Sequence, residues 1–270
     1  MGASFWRWFL AAMILLLFVW RELPAKQALI REYWRLILLL GLLQVGCSAL
    51  LFLALNFTSA INATLLNAAQ PALTVLPAWL LTRDRLTAGQ GIGIFAALAG
   101  IVVMVSQGRL GVLAALEFNA GDIIALVAML GWAVYAALLH RLPAQLGLGV
   151  SLFVICLSGS LAVLPFYISE TAFFRPVPLT GSAAAIIALL GIVVSLGSVA
   201  MWNTGLRTVG PNRATIFLNL VPAFGVSLAI IFLGEQLFTH HLAGIGLVGL
   251  GIFLVVSLAR RKSEAAQSSI

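Results

Sequence analysis

Nine runs of about twenty apolar residues follow one another along the chain, at roughly 4–21, 35–55, 62–82, 88–108, 120–140, 149–169, 183–205, 213–233 and 240–259. A helix needs about 20 apolar residues to cross the hydrocarbon core of a bilayer. Backbone N–H and C=O groups find no water there, so each run is expected to be a helix that satisfies its own backbone. The links between runs are short and hold most of the Arg, Lys, Asp, Glu and Pro, which leaves no room for a soluble domain. The expected fold class is therefore all-α, a polytopic membrane helix bundle of about nine spans. Composition agrees: 62% of the 270 residues are hydrophobic and 9% are charged, against about 25% charged in a soluble domain. In water such a surface would associate and aggregate.

The formal charge of +7 does not point to nucleic acid. The basic residues sit at the ends of apolar runs and form no stripe with interleaved aromatics. They report orientation instead, because Lys and Arg stay on the cytoplasmic side. The C-terminal Arg260, Arg261 and Lys262 place the tail in the cytoplasm, and alternating sides backward from there tests the helix count. Twelve basic residues, among them Arg21, Lys26, Arg31, Arg83, Arg141 and Arg207, then fall on the cytoplasmic side. Three, Arg7, Arg109 and Arg175, fall outside. Residues 1–22 lack a basic cluster and a small-residue cleavage site, so they read as a spanning helix and not a signal peptide. The residues from Arg260 to Ile270 are expected to be a disordered polar tail. The short links suit a bacterial inner membrane.

Cys47 and Cys156 lie inside apolar runs and read as small buried residues, with no disulfide or metal implied. His140, His240 and His241 sit at run ends, and adjacent His240 and His241 point to different helix faces. No metal and no cofactor are expected. No paired carboxylates, no His with an acid on a facing helix and no Gly-Lys phosphate loop appear, so an enzyme is not expected.

A shift of 151 residues aligns 38–105 with 189–256 without a gap. The identical pairs include Gly46/Gly197, Thr64/Thr215, Pro71/Pro222, Gly93/Gly244 and Gly100/Gly251, and Asp84 matches Glu235 in kind. A unit with an odd number of helices places its copies in opposite orientations, the inverted-repeat arrangement of many transporters. Residues 1–108 form the first repeat with four helices, 120–259 the second with five, and 260–270 the tail. The helix at 120–140 has no counterpart, so a first helix of the first unit is inferred to be missing; a genuine nine-helix protein is the alternative reading.

At this point the residues resemble a known family. The segment 54–105, ALNFTSAINATLLNAAQPALTVLPAWLLTRDRLTAGQGIGIFAALAGIVVMV, resembles one half of the drug/metabolite transporter superfamily in its EamA-type branch. The segment 205–256, GLRTVGPNRATIFLNLVPAFGVSLAIIFLGEQLFTHHLAGIGLVGLGIFLVV, resembles the other half, with Pro222, Gly234-Glu235, Gly244 and Gly251 in the pattern's order. The first half departs from it, with Arg83-Asp84 where Gly-Glu is usual. The resemblance implies inverted five-helix repeats and export or exchange of a small metabolite, often an amino acid. Drug efflux and nucleoside or sugar transport belong to the same superfamily. A membrane enzyme and a scaffold subunit are the rivals of another class.

Residues that could carry transport follow from polarity inside apolar runs. Pro71 and Pro222 fall near the middle of their runs, where each is expected to kink the helix and free the carbonyl of Asn67 or Leu218. Thr64, Asn67, Gln70 and Thr74 recur at helical spacing. Asn219 follows on the matching run. Polar groups of this kind are costly against lipid and should turn inward, toward substrate or toward one another. Gln44 and Ser48, Trp132 and Tyr135, and Ser198, Trp202 and Asn203 complete the candidate substrate-binding set, with Ser195 on the face of Ser198 and Trp202. Trp6, Trp8, Trp20, Trp34 and Trp79 read as an interfacial belt. No acid falls at a span centre, and Asp84, Asp122 and Glu235 lie near run ends. Asp84 and Glu235 read as helix-terminus groups, and Thr239 as an N-cap. A carrier without proton coupling is therefore expected. Glycines 93, 100, 244 and 251 recur every seven residues and are expected to pack within the bundle. The implied partners are a small-molecule substrate and the lipid bilayer, with the chain a monomer or a homodimer.

Overall fold

A computed structural model describes residues 2–58, 66, 67, 69–83, 87–106, 108–114, 119–173, 180–221, 224, 228, 231 and 239–267. These residues are mostly helical, with short turns between helices and no strand among them. Six helices are long and apolar enough to cross a membrane: Gly2–Val19, Trp34–Ala54, Ala88–Val105, Ala120–Arg141, Leu148–Phe173 and Ala184–Val209. Two shorter apolar helices are Gln70–Leu81 and Leu242–Val255. The bounds of the six long helices follow the apolar runs to within four residues. The run 213–233 falls partly outside the described residues, as do Asp84, Glu235, Thr64 and Pro222.

We number the elements α1 (Gly2–Val19), α2 (Leu23–Glu32), α3 (Trp34–Ala54), α4 (Gln70–Thr82), α5 (Ala88–Val105), α6 (Leu110–Ala114), α7 (Ala120–Leu138), α8 (Leu148–Phe173), α9 (181–209), α10 (Pro211–Thr215) and α11 (Thr239–Gln267). Local chemistry sets several of their starts. Thr87 and Gln90 form a capping box at α5, and Asn119 and Asp122 form another at α7, satisfying N–H groups that a helix leaves unpaired. Gly210 takes φ 86°, a left-handed conformation easy only for glycine, and turns the chain from α9 into Pro211. The C-terminal tail differs from expectation. Residues 260–267 continue α11 as helix, because Ala, Arg, Lys, Glu and Gln are strong helix formers.

Lipid offers no hydrophobic drive for helices to associate, so close backbone packing and polar contacts must hold the bundle. The glycines supply the packing. On α5 and α11 the contacts are reciprocal: a Cβ on Gly93 would stand 2.7 Å from the Gly251 carbonyl oxygen, and one on Gly100 2.6 Å from that of Gly244. The two helices thus run antiparallel, backbone against backbone. Residue 93 corresponds to 244 and residue 100 to 251 under the 151-residue shift, so exchanging the two halves maps one contact onto the other. Elsewhere, Gly41 of α3 meets Gly159 of α8, Gly131 of α7 meets Cys47 of α3, and Gly191 of α9 meets the Arg7 backbone of α1.

Polar contacts mark the two ends of the bundle. At one end Lys26 Nζ donates to the Leu146 carbonyl (2.9 Å), Arg141 Nη2 to the Leu81 carbonyl (3.0 Å) and Arg207 Nη2 to Ser151 Oγ (3.2 Å). At the other, Gly2 N–H donates to Glu170 Oε2 (2.8 Å), Trp6 Nε1 to the Tyr167 hydroxyl (3.0 Å) and the Thr58 hydroxyl to Asp122 Oδ1. These three cations lie at one face and these two acids at the other.

Candidate functional site

Two stretches of π-helix interrupt long spans, Leu42–Gly46 in α3 and Leu190–Ser198 in α9. Shifting the first by 151 residues gives 193–197, which lies within the second. A π turn inserts an extra residue, breaks the i→i−4 ladder and often marks a functional site. Gln44 and Ser195 are equivalent under the shift, both are buried, and both sit inside these stretches near the middle of their spans. Periodicity along the sequence carries no signal for such a register change.

Helix α7 joins the site together. Gln70 Nε2 on α4 donates to the Met129 carbonyl (3.1 Å), Trp132 Nε1 donates to the Gln44 carbonyl on α3 (3.4 Å), and the Tyr135 hydroxyl lies 2.7 Å from Asn203 Nδ2 and 2.9 Å from Asn203 Oδ1 on α9. Three residues spaced by three along one helix thus reach three different neighbours. Tyr135 and Asn203 are each 1% exposed. Trp202 and Trp132 are half-buried.

Helix α4 departs from the expected continuous run. It begins at Gln70, so Pro71 lies in its first turn and not at a mid-helix kink. Proline suits that position, because its missing N–H would have no intrahelical partner there. The interior proline of α4 is Pro77. Asn67 is half-buried ahead of the break. Thr74 is fully buried and donates back to the Gln70 carbonyl (2.8 Å), so its hydroxyl is used within its own helix.

A second irregular stretch carries Asn219. Helix α10 gives way to a 3₁₀ turn over Ile216–Asn219 that packs against α4, α5 and α11. Asn219 is fully buried, and neither its Nδ2 nor its Oδ1 has a partner. Gln70 Oε1 and the Ser195 hydroxyl are likewise buried and unpaired. Each such group costs about 1–3 kcal/mol when left unmade.

Ser198 stands apart from these residues. It is exposed and its hydroxyl donates to the Val193 carbonyl (3.1 Å). The π stretch rotates it off the face that α-helical spacing assigns to Ser195 and Trp202. Ser48 is buried, and Arg7 Nη2 donates to its hydroxyl. Arg7 itself is 8% exposed and lies inside a span, where position near a helix end suggested the outer surface. An Arg at a span centre costs about 2.5–3.5 kcal/mol on insertion scales. Trp8 is 2% exposed, a core residue and not a member of the interfacial belt, while Trp6, Trp20, Trp34 and Trp79 are 37–56% exposed. Cys47 and Cys156 are buried free thiols.

A bundle whose two halves share breaks at matching positions, with buried amides at the breaks, is an architecture found in carriers. A family model described as the EamA-like transporter family matches residues 1–106 and 119–257. The chain belongs to the EamA-like transporter family. It is 27% identical over 263 residues to an uncharacterized transporter, YyaM, of Bacillus subtilis, an alignment covering 96% of this chain and 85% of that protein. An uncharacterized transporter of Archaeoglobus fulgidus is 26% identical over 235 residues, with 86% and 79% covered. A solved crystal structure superimposes with a TM-score of 0.76 at 20% identity, covering 96% of this chain and 88% of that one, and shows the shared fold. This EamA-like chain is thus a multi-pass membrane protein of a transporter family.

Proposed function

We propose that the chain moves a small metabolite, such as an amino acid, across the membrane by alternating access, as an exporter or exchanger and not as an enzyme. The observation that carries this reading is the set of buried, unpaired polar groups at helix irregularities: Asn219 on its 3₁₀ turn, Gln70 at the start of α4 and Ser195 in the π stretch. Irregular backbone at membrane depth is stable only where protein or a cavity covers it. Buried groups that find no partner within the chain are available to a solute. Gln44, Trp132, Tyr135 and Asn203 line the same route along α7. The two halves, 1–108 and 120–259, act as inverted units in this reading. The end carrying Lys26, Arg141 and Arg207 faces the cytoplasm, which supports a C-terminus on that side of a bacterial inner membrane.

The test is flux in proteoliposomes holding the purified chain, against a panel of labelled amino acids, nucleosides and sugars. Accumulation of at least one unaltered compound, abolished by excess of the same unlabelled compound on the same side of the membrane, is expected. A compound recovered in altered form would indicate an enzyme, and no flux with any panel member would overturn the carrier reading.

A further inference from the structure

We propose that Arg7, together with Ser48 and Trp8, binds the carboxylate of the transported solute; this rests on the carrier reading and specifies the solute's chemical class. Arg7 is 8% exposed, and its guanidinium lies 5.1 Å from the ring centroids of both Trp8 and Phe52. Nη2 donates to the Ser48 hydroxyl. Among the described residues no carboxylate pairs with it. Its Nε and the neighbouring Trp8 Nε1 are buried without an acceptor. The local inventory is therefore one of donors: guanidinium N–H groups, an indole N–H and a serine hydroxyl whose oxygen already accepts, leaving its hydrogen to give. Arginine has no acceptor atom and keeps its charge. Such a cluster lacks one thing, an anionic acceptor, and the guanidinium fork matches a planar carboxylate through two parallel N–H···O bonds.

Position supports the same conclusion. At 1.5 Å per residue, Arg7 stands about 7–8 Å inside the Gly2 end of α1 and Ser48 about 9 Å inside the Ala54 end of α3. Both ends lie on the Glu170 face of the bundle. The cation is within the span, at a depth a solute would cross. Helix α1 packs against both π stretches, and a Cβ on Gly191 would stand 3.1 Å from the Arg7 carbonyl oxygen. Gln44 and Ser195 thus belong to the elements that flank Arg7. A cationic solute would be repelled there, and a neutral one would leave the guanidinium charge unanswered.

The full chain would be assayed in detergent by thermal shift and in proteoliposomes by flux, with acetate, benzoate, L-leucine and L-glutamate, each beside its carboxamide. For the wild type, at least one carboxylate is expected to raise Tm and to cross at least tenfold faster than its carboxamide. R7K should weaken that preference, S48A should weaken it further from a bidentate fit, and R7Q should abolish it. If Arg7 only clamps α1 through its stacked rings, R7Q lowers Tm equally with and without carboxylate, which overturns the proposal. Equal action of acid and amide on the wild type, no shift with any carboxylate, or a preference retained in R7Q also overturns it. An Arg7-dependent thermal shift without flux would leave the site standing and sink the carrier reading. Flux without carboxylate preference would do the reverse.

Discussion

Gly251 packs against Gly93 so closely that a Cβ on Gly251 would stand 2.4 Å from the Gly93 carbonyl oxygen. By contrast, Gly246 and Gly249 on the same helix have nothing within 4 Å of such an atom. Gly251→Ala is expected to destabilise the chain by about 1–3 kcal/mol through overpacking. Gly249→Ala should be neutral or stabilising, by up to about 1 kcal/mol of helix propensity. Thermal unfolding in a fixed detergent compares the two, and equal effects would contradict the backbone seam between α5 and α11.

The Gly131 contact predicts a coupled pair. A Cβ there would meet Cys47 Sγ at 2.2 Å. Gly131→Ala should cost about 1–3 kcal/mol alone and clearly less in a Cys47→Ala background, with a coupling of at least about 0.5 kcal/mol in a double-mutant cycle. Additive losses would mean that another atom sets the fit.

Tyr135 and Asn203 answer each other's polar groups in the core. Tyr135→Phe leaves a buried amide without its partner and should cost about 1–3 kcal/mol. The double variant Tyr135→Phe with Asn203→Leu should lose less than the two single changes summed. Tm of the four proteins gives the result directly.

Asn219 separates function from stability. Its amide makes no bond in the folded chain, so Asn219→Leu is expected to hold or raise Tm while lowering flux at least tenfold. Unchanged flux in a folded Asn219→Leu protein would remove this residue from the route.

The described acids lie near helix ends: Asp122 in the capping box of α7, and Glu170 beside Gly2. Flux is therefore expected to follow the solute gradient alone and to persist when a protonophore removes the proton gradient. A collapse of flux at constant solute gradient would require a titrating group on the route.

Much of the fold is legible in the sequence because hydrophobic length and glycine spacing are local signals. The runs 35–55 and 88–108 become α3 and α5 with ends shifted by no more than three residues. The seven-residue glycine spacing finds its use in the seam. Register changes are another matter. Nothing in the stretch LLQVG announces a π turn, because it holds no proline and one inserted residue leaves the apolar length of the run unchanged. The π register turns Ser198 outward, and the helix that starts at Gln70 puts Pro71 in its first turn. Distance from a helix end puts Arg7 and Trp8 at the surface, yet crossing helices bury them. Depth along one helix does not reveal what another lays over it.

The α5–α11 seam has a mechanical consequence. Where helices interlock through side chains, turning one against the other means disengaging each knob and resettling its rotamers. Four glycines facing each other's carbonyls bring the two backbones into contact along the seam, with Met104, Leu247, Val248 and Val255 packed beside them, and exchange of the two halves maps the seam onto itself. A tilt at such a joint leaves the glycine contacts with no rotamer to change, so its cost falls on the side chains that flank them.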